Sequence, residues 1–415
     1  MSNSHDTTLI KRDAYLGKIR PFVGTDLVKV LTGIRRCGKS VMLKLVQEEL
    51  LANGVPQSRI LAMDFDSPSN YPFRDGARFY EHFKMLVEQQ GAVQSGERIH
   101  LFFDEIQEVS NWEQYVNGLR MLPNTDIYVT GSNAKLFSGE LATYLVGRHI
   151  SFEIHPFSFA EFTTMHREFL GEKTPADVFN DYMRFGGMPF LHNMRFEYAP
   201  SMEYLRGIYH SIMLKDIVRR HNIRDVDLLE RIVTFVLANI GKTFSATSIS
   251  KYFRSEKRTV STDTVLNYIK VCEDAFLFYR AKRNDLQGKR LLTVNEKYYI
   301  ADHGFREALF QGSQNAPELI FENIVFTELR RRGYEVTVGK VGDLEIDFVA
   351  TRQNAPVYIQ VSYYCGGKDT LERELAPLKK LVSDYPKYLI SMDDFDLSRD
   401  GITHLNIRNF LLSSL

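Results

Sequence analysis

Val28-Lys29-Val30-Leu31-Thr32-Gly33-Ile34-Arg35-Arg36-Cys37-Gly38-Lys39-Ser40 is the stretch on which the reading of this chain turns. It opens with a short apolar run of strand type. The eight residues from Gly33 match G-x-x-x-x-G-K-[ST], and helical periodicity follows from Lys39 to Ala52, with Val41, Leu45 and Leu50 among its apolar positions. Strand, glycine-rich turn and helix are the context that a phosphate-binding loop requires. The loop must curl so that successive backbone N–H groups face an anion, and glycines permit the curl. The helix then aims its positive N-terminal end at the same anion. The expected nucleotide contacts are Gly33, Ile34, Arg35, Arg36, Cys37, Gly38, Lys39, Ser40 and Val41. Lys39 would reach the β- and γ-phosphates and the Ser40 hydroxyl would ligate Mg2+.

A second element stands where such a loop needs one. Ile99-His100-Leu101-Phe102-Phe103-Asp104-Glu105 is an apolar strand ending in two carboxylates. Asp104 is expected to hold Mg2+ through water, and Glu105 to position or deprotonate an attacking water. The pair of elements predicts ATP binding and Mg2+-dependent hydrolysis. Cys37 has two readings: a small loop filler, which is the plainer one, or a thiol activated at a helix N-terminus, whose alkylation would block ATP binding.

Working outward, strand-like runs at Arg59–Phe65, Arg98–Phe103, Asp126–Thr130 and His149–Ile154 are separated by helical stretches. That alternation predicts an α/β fold with a parallel sheet and helices on both faces. Pro156 ends the pattern. Helical sequence with a Gly186-Gly187 turn runs to about Asp227 and reads as a lid. Helices at about 228–239, 244–254 and 262–274, then strands at Phe276–Arg280 and Tyr298–Ala301, give the order of a winged helix. From Pro317 a small α/β domain follows. The expected domains are 1–155, 156–227, 228–312 and 313–415.

Composition is permissive. The chain has 415 residues, 44% hydrophobic and 25% charged, with a formal net charge of zero, so global charge points to neither nucleic acid nor membrane. Its three cysteines, Cys37, Cys272 and Cys365, are far apart and form no C-x-x-C pair, which argues against a disulfide framework or a structural zinc. The N-terminal stretch lacks an apolar signal region, and no apolar run approaches the roughly 18 residues that span a bilayer. A cytoplasmic protein without membrane contact is expected.

Several phrases together resemble one family. LTGIRRCGKS (31–40), HLFFDEIQEV (100–109), TGSNAKLFSGELATYLVGR (130–148), HPFSFAEF (155–162) and YMRFGGMPF (182–190) look like those of AAA-type ATPases, specifically bacterial and archaeal ATP-binding proteins with a C-terminal nuclease-like domain. The resemblance implies that Asn133, after the fourth strand, is a polar sensor of the γ-phosphate or attacking water; a helix N-cap is its plainer role. It implies that Arg148, just before the fifth strand, reaches a neighbouring subunit's γ-phosphate in a homo-oligomer, stabilising transition-state charge. A surface salt bridge is the alternative for Arg148.

Two further surfaces are weighed. Residues 244–274 read as helix–turn–helix, with Ser245 or Thr247 capping the first helix and Ser261-Thr262-Asp263 the second. Lys251, Arg254, Lys257 and Arg258 precede the second helix, and Arg280, Lys282, Arg283, Lys289 and Arg290 follow it along the wing. Double-stranded DNA, held weakly and salt-dependently through its backbone, is one expected partner; a protein dock is the other. In the C-terminal part, Glu322 on a helix, Asp347 in a strand and Tyr358-Ile359-Gln360-Val361-Ser362 in the next strand resemble the layout of PD-(D/E)xK nucleases. Gln360 stands in place of the second acid and Ser362 in place of the lysine, so a degenerate site without cleavage is expected unless a relocated lysine such as Lys368 restores it, which would make an ATP-gated nuclease.

Overall fold

The computed structural model describes residues 9–90, 96–134, 144–256, 258–286, 288, 290–312 and 316–413, and the side chains of 290–295 lie outside the description. The chain divides into two compact units, Met1–His155 with Asp274–Phe276, and Pro156–Glu273 with Leu277–Leu415.

The first unit is built on five parallel strands: β1 (Val28–Thr32), β2 (Ile60–Asp64), β3 (Ile99–Asp104), β4 (Thr125–Gly131) and β5 (His149–Glu153), in the order β2-β3-β4-β1-β5. β1 and β4 are buried along their whole length, which is why their sequences read as continuous rather than alternating apolar runs. Helices Gly76–Gln89 and Trp112–Arg120 bury Phe79, Phe83 and Val87, and Trp112, Val116 and Leu119. Phe79 and Phe83 meet Phe103 of β3 edge-on, with centroids 4.9 and 4.7 Å apart. Because the strands are parallel, β1, β3 and β4 deliver the residues that follow them to one edge of the sheet.

The start of the same sheet holds a buried charge cluster. Lys29 and Asp126 are both fully buried and paired through Lys29 Nζ and Asp126 Oδ1. Asp126 Oδ2 also meets His100 Nδ1 at 2.8 Å, and accepts from the Tyr128 hydroxyl at 2.9 Å and from Gly24 N–H at 3.0 Å.

The second unit begins with helices Phe159–Leu170, Pro175–Phe185 and Tyr198–Ser211, the last continuing as a π-helix over Ile212–Arg219. Asp302 ties the Gly186-Gly187 turn in place: its carboxylate accepts from Gly187 N–H at 2.8 Å and Gly304 N–H at 2.9 Å. Helices Val226–Ala238, Ala246–Ser255 and Thr262–Asp274 then lead into the antiparallel pair β6 (Phe278–Asp285) and β7 (Arg290–Ile300). Ser245 caps one helix by accepting from Ser248 N–H at 3.2 Å, and Ser261 accepts from Thr264 N–H at 3.0 Å at the next.

The hairpin is longer than its sequence suggests, and β6 also pairs in parallel with β8 (Glu335–Val341). With β9 (Leu344–Arg352), β10 (Ala355–Val361), β11 (Lys387–Ser391) and β12 (Thr403–Asn406), one seven-stranded sheet forms in the order β12-β11-β10-β9-β8-β6-β7. Strands on both sides of the boundary expected between 312 and 313 therefore belong to a single hydrogen-bonded sheet.

Candidate functional site

The loop that follows β1 has the backbone an anion cradle needs. Gly33, Arg36 and Gly38 have φ of +138°, +68° and +103°. A Cβ on Gly33 would stand 2.1 Å from Ile154 O and 3.1 Å from Cys37 Sγ. Gly33→Ala is accordingly expected to cost about 3 kcal/mol or more. Thermal unfolding checks this beside Gly54→Ala, a site that shares the left-handed backbone but where a Cβ meets nothing within 4 Å.

Lys39 opens the helix Lys39–Ala52, is buried, and donates through Nζ to Gly33 O at 3.1 Å and Ile34 O at 3.2 Å. Both partners are neutral carbonyls of the loop itself. Thr130 donates a hydroxyl hydrogen bond to the Asp104 carboxylate, and the Ser40 hydroxyl lies near enough to lower its pKa. Burial pushes the Asp104 carboxyl above the usual range, and those two hydroxyls pull it back. Glu105 takes the left-handed conformation at φ +54°, its N–H donates to Thr130 Oγ1 at 2.9 Å, and Gln107 Nε2 donates to its carboxylate. Thr130 of β4 thus fixes both acids at once. Ser132 and Asn133 follow β4 and are buried. The helix expected after Asn133 falls on residues 135–143, outside the described residues, and its capping role with it.

Arg35 reaches from the loop to Asp66 at 3.8 Å, and Arg74 joins Asp66 at 3.5 Å to Glu108 at 3.4 Å. Arg36 and Ser40 are exposed, while Ile34 is buried with Cys37. Val41 is half-buried in the first turn of the helix. The Cys37 thiol is fully buried and burial raises its pKa, so the activated-thiol reading is corrected in favour of the loop filler: desolvation of the thiolate outweighs the nearby Lys39 and Arg12 cations.

Arg148 is exposed, and its carbonyl accepts from Val28 N–H at 2.9 Å. It therefore sits at the start of β1, the length of a five-residue strand away from the loop that leaves its end, about 16 Å. The fold does not bring Arg148 to its own loop. Sequence reasoning missed Arg12, whose guanidinium is buried and donates to Cys37 O at 3.2 Å.

In the second unit, Glu322, Asp347 and Gln360 are brought together, but around a lysine that was not foreseen. Lys297 of β7 is buried and lies 3.0 Å from Glu322, 2.9 Å from Glu345 and 3.9 Å from Asp347. The Tyr299 hydroxyl donates to Glu322 at 2.6 Å. Gln360 accepts from Asp347 N–H at 3.4 Å and donates to Glu374 at 3.2 Å, and Ser362 turns to Tyr364 O at 3.3 Å. Lys368, the relocated lysine considered above, is exposed at the start of the helix Lys368–Lys380; Lys297 provides the ammonium instead. Among the described residues no three His, Cys, Asp or Glu side chains are grouped to hold a metal ion.

Burial pushes the Asp347 carboxyl up to about 8; the Glu322 charge adds to this, and the Lys297 ammonium opposes it. A carboxyl raised in the folded state favours folding while it stays protonated, and that contribution is lost as pH rises through about 8. The second unit's melting temperature is expected to fall as pH is raised from about 4, the ordinary carboxyl value, to about 8, to level off above that, and to fall less in Asp347→Asn. Equal slopes in thermal melts of the two proteins would refute this.

Of the basic residues near the helix pair, Arg258 is tied to Asp225 at 2.7 Å and to Asp227, Arg280 to Glu273 at 3.1 Å, and Arg283 to Glu345 at 2.8 Å. Lys251, Arg254 and Lys282 are exposed. Lys257, Lys289 and the Arg290 side chain lie outside the described residues. No helix among the described residues is long and apolar enough to cross a membrane.

Comparison with known proteins gives the chain its relatives. Residues 25–163 match the family model described as an AAA domain, and residues 176–316 match a domain of unknown function. An uncharacterized protein of Haemophilus influenzae is 36% identical over 97% of this chain and 99% of its own length. One of Methanocaldococcus jannaschii is 28% identical over 92% of this chain and 84% of its own. Among solved structures, a Walker-type ATPase of Pyrococcus abyssi aligns over 72% of this chain and 95% of its own, at 17% identity and a TM-score of 0.48.

Proposed function

This chain belongs to the family of its full-length Haemophilus influenzae relative and carries an AAA domain, and on that footing we propose that it binds Mg·ATP at the loop Gly33–Ser40 and hydrolyses it to ADP and phosphate. The observation that carries the reading is the convergence at one sheet edge of a left-handed glycine loop, a buried lysine bonded, among the described residues, to neutral loop carbonyls at 3.1 and 3.2 Å, and the Ser40–Asp104–Thr130 set. Such a lysine is poised to exchange two weak partners for phosphate oxygens. The Ser40 hydroxyl and the Asp104 carboxylate are hard oxygen donors, and they fit Mg2+. The cation supplies charge neutralisation on the β- and γ-phosphates. Glu105 orients and accepts a proton from the attacking water, and Asn133 senses the terminal phosphate. Arg148, at the far end of β1 from its own loop, acts only on the nucleotide of a neighbouring copy.

Nucleotide state switches the second unit between forms with different partners. We read its helix pair and hairpin as a winged helix that touches DNA weakly through Lys251, Arg254 and Lys282. One observation favours a protein dock as the second reading: Arg258, Arg280 and Arg283 are already committed to carboxylates. Glu322 and Asp347 are read as structural, held by Lys297, with Gln360 and Ser362 supplying neither acid nor ammonium. Phosphate release from ATP is the test, with and without duplex DNA at low salt. Turnover altered by DNA supports the DNA reading, turnover indifferent to DNA supports the dock, and metal-dependent DNA cleavage would overturn the structural role of Glu322 and Asp347.

A further inference from the structure

Arg12 lies more than twenty residues before the phosphate loop and is 1% exposed. Burying a guanidinium costs several kcal/mol unless its donors are used. Two of them are spent on backbone carbonyls of the first unit. Nη1 donates to Cys37 O at 3.2 Å and Nη2 to His155 O at 2.9 Å, while the Tyr15 ring lies 4.5 Å under the guanidinium carbon. Tyr15 holds the other face of the same residue, since its hydroxyl oxygen accepts from His155 N–H at 3.1 Å. The residue before it, Ile154, offers the carbonyl that leaves no room for a Cβ on Gly33. Gly33, by close packing, and Cys37, through Arg12, are thus both tied to the segment that leaves β5.

The Cys37 carbonyl belongs to the same planar peptide as the Gly38 N–H, and in a trans peptide the two point in opposite directions. Drawing the carbonyl toward Arg12 on one side therefore aims the Gly38 N–H out of the other side, toward the concave face of the loop where an anion is received. The positive charge behind the peptide also polarises it and strengthens its N–H as a donor.

We infer that Arg12 is a positioning residue for nucleotide binding, a guanidinium behind the phosphate loop that fixes the Cys37–Gly38 peptide in its phosphate-receiving orientation. The inference rests on the Mg·ATP reading above. A residue that organises the loop before binding acts on substrate and transition state alike, so its loss raises KM and leaves kcat nearly unchanged. A merely structural role would lower the amount of active protein and the melting temperature without moving KM.

The test uses the full chain with Arg12→Gln and Arg12→Lys. KM for ATP is expected to rise about tenfold or more in Arg12→Gln, the worth of one charge-assisted hydrogen bond, with kcat within about threefold of wild type. Arg12→Lys, which keeps the charge but not the two-armed geometry, should fall between, and it carries the test if the glutamine variant fails to fold. An independent readout needs no nucleotide. All three cysteines are buried, so Ellman's reagent followed by peptide mapping should label Cys37 faster in the variants than in wild type, with Cys272 and Cys365 unchanged. Unchanged KM together with unchanged Cys37 labelling would overturn the inference. Wild type that turns over no ATP, in a preparation where the variants still unmask Cys37, would instead sink the nucleotide reading and leave Arg12 as the loop's anchor.

Discussion

Glu105→Gln is expected to lower ATP turnover by about 10²–10⁴-fold while leaving Mg·ATP binding within a few-fold of wild type. The substitution keeps size and hydrogen-bonding capacity and removes only the basic oxygen. The backbone that presents it is over-determined. Glu105 holds φ +54°, its N–H is fixed by Thr130 Oγ1 at 2.9 Å, and its carboxylate is held by Gln107. A left-handed non-glycine residue at a strand end costs of order 1 kcal/mol and persists only where the surroundings enforce it. Thr130 supplies that enforcement and also donates to Asp104, so the two acids share one anchor. Phosphate release and the affinity for a fluorescent ATP analogue separate the two effects. A glutamine variant that turns over like wild type would remove Glu105 from the chemistry.

The second large effect concerns the sheet. Asp126→Asn should destabilise the first unit by about 3–5 kcal/mol, because it leaves the buried Lys29 ammonium without its counter-charge. Without Asp126, Lys29 Nζ keeps the Thr25 carbonyl at 3.0 Å and the Tyr128 ring at 5.1 Å, neither of which carries a counter-charge. Burial pushes the Asp126 carboxyl up, but His100, Lys29 and the Gly24 N–H together outweigh it and hold the carboxyl below its usual range. Burial likewise pulls the Lys29 ammonium down, with Asp126 opposing. A carboxyl depressed in the folded state contributes stability above its unfolded value of about 3.9 and loses it as pH falls through the folded one. Acid lability in that window should be present in wild type and weaker in the Asp126→Asn, Lys29→Met double variant, which should also recover part of the lost stability. Urea unfolding of the first unit measures both. An Asp126→Asn protein as stable as wild type would refute the network's importance.

Much of the nucleotide site was legible because its parts are local. The loop residues are contiguous, and Asp104 and Glu105 end a strand whose apolar run predicts its burial. Asn133 was placed after a fourth strand by its apolar run, and the structure sets that strand, β4, between β1 and β3. Arg148 was legible as a residue beside the fifth strand, and parallel pairing of β5 with β1 then fixes it at the start of β1. What escaped were side chains whose partners are distant in sequence. Arg12 and Lys29 are single cations with no periodic signal, and only the folded sheet shows that each is buried. Lys297 reaches Glu322, Glu345 and Asp347 because β6 pairs in parallel with β8, a long-range choice that the hairpin's own pattern does not record. The same pairing joins into one sheet the strands on both sides of the boundary that the changing strand and helix pattern suggested. For Cys37 the plainer reading, a small loop filler, agrees with its burial, which opposes the helix-end electrostatics of the sharper one.

The central claim is that the loop from Gly33 to Ser40 binds ATP, and calorimetric titration of Mg·ATP into wild type and Lys39→Ala tests it most directly. Wild type should saturate at one site per chain with an affinity on the order of micromolar, and Lys39→Ala should give no saturable heat while melting at nearly the same temperature. A wild type that gives no saturable heat, or a Lys39→Ala protein that binds as tightly as wild type, would contradict the account.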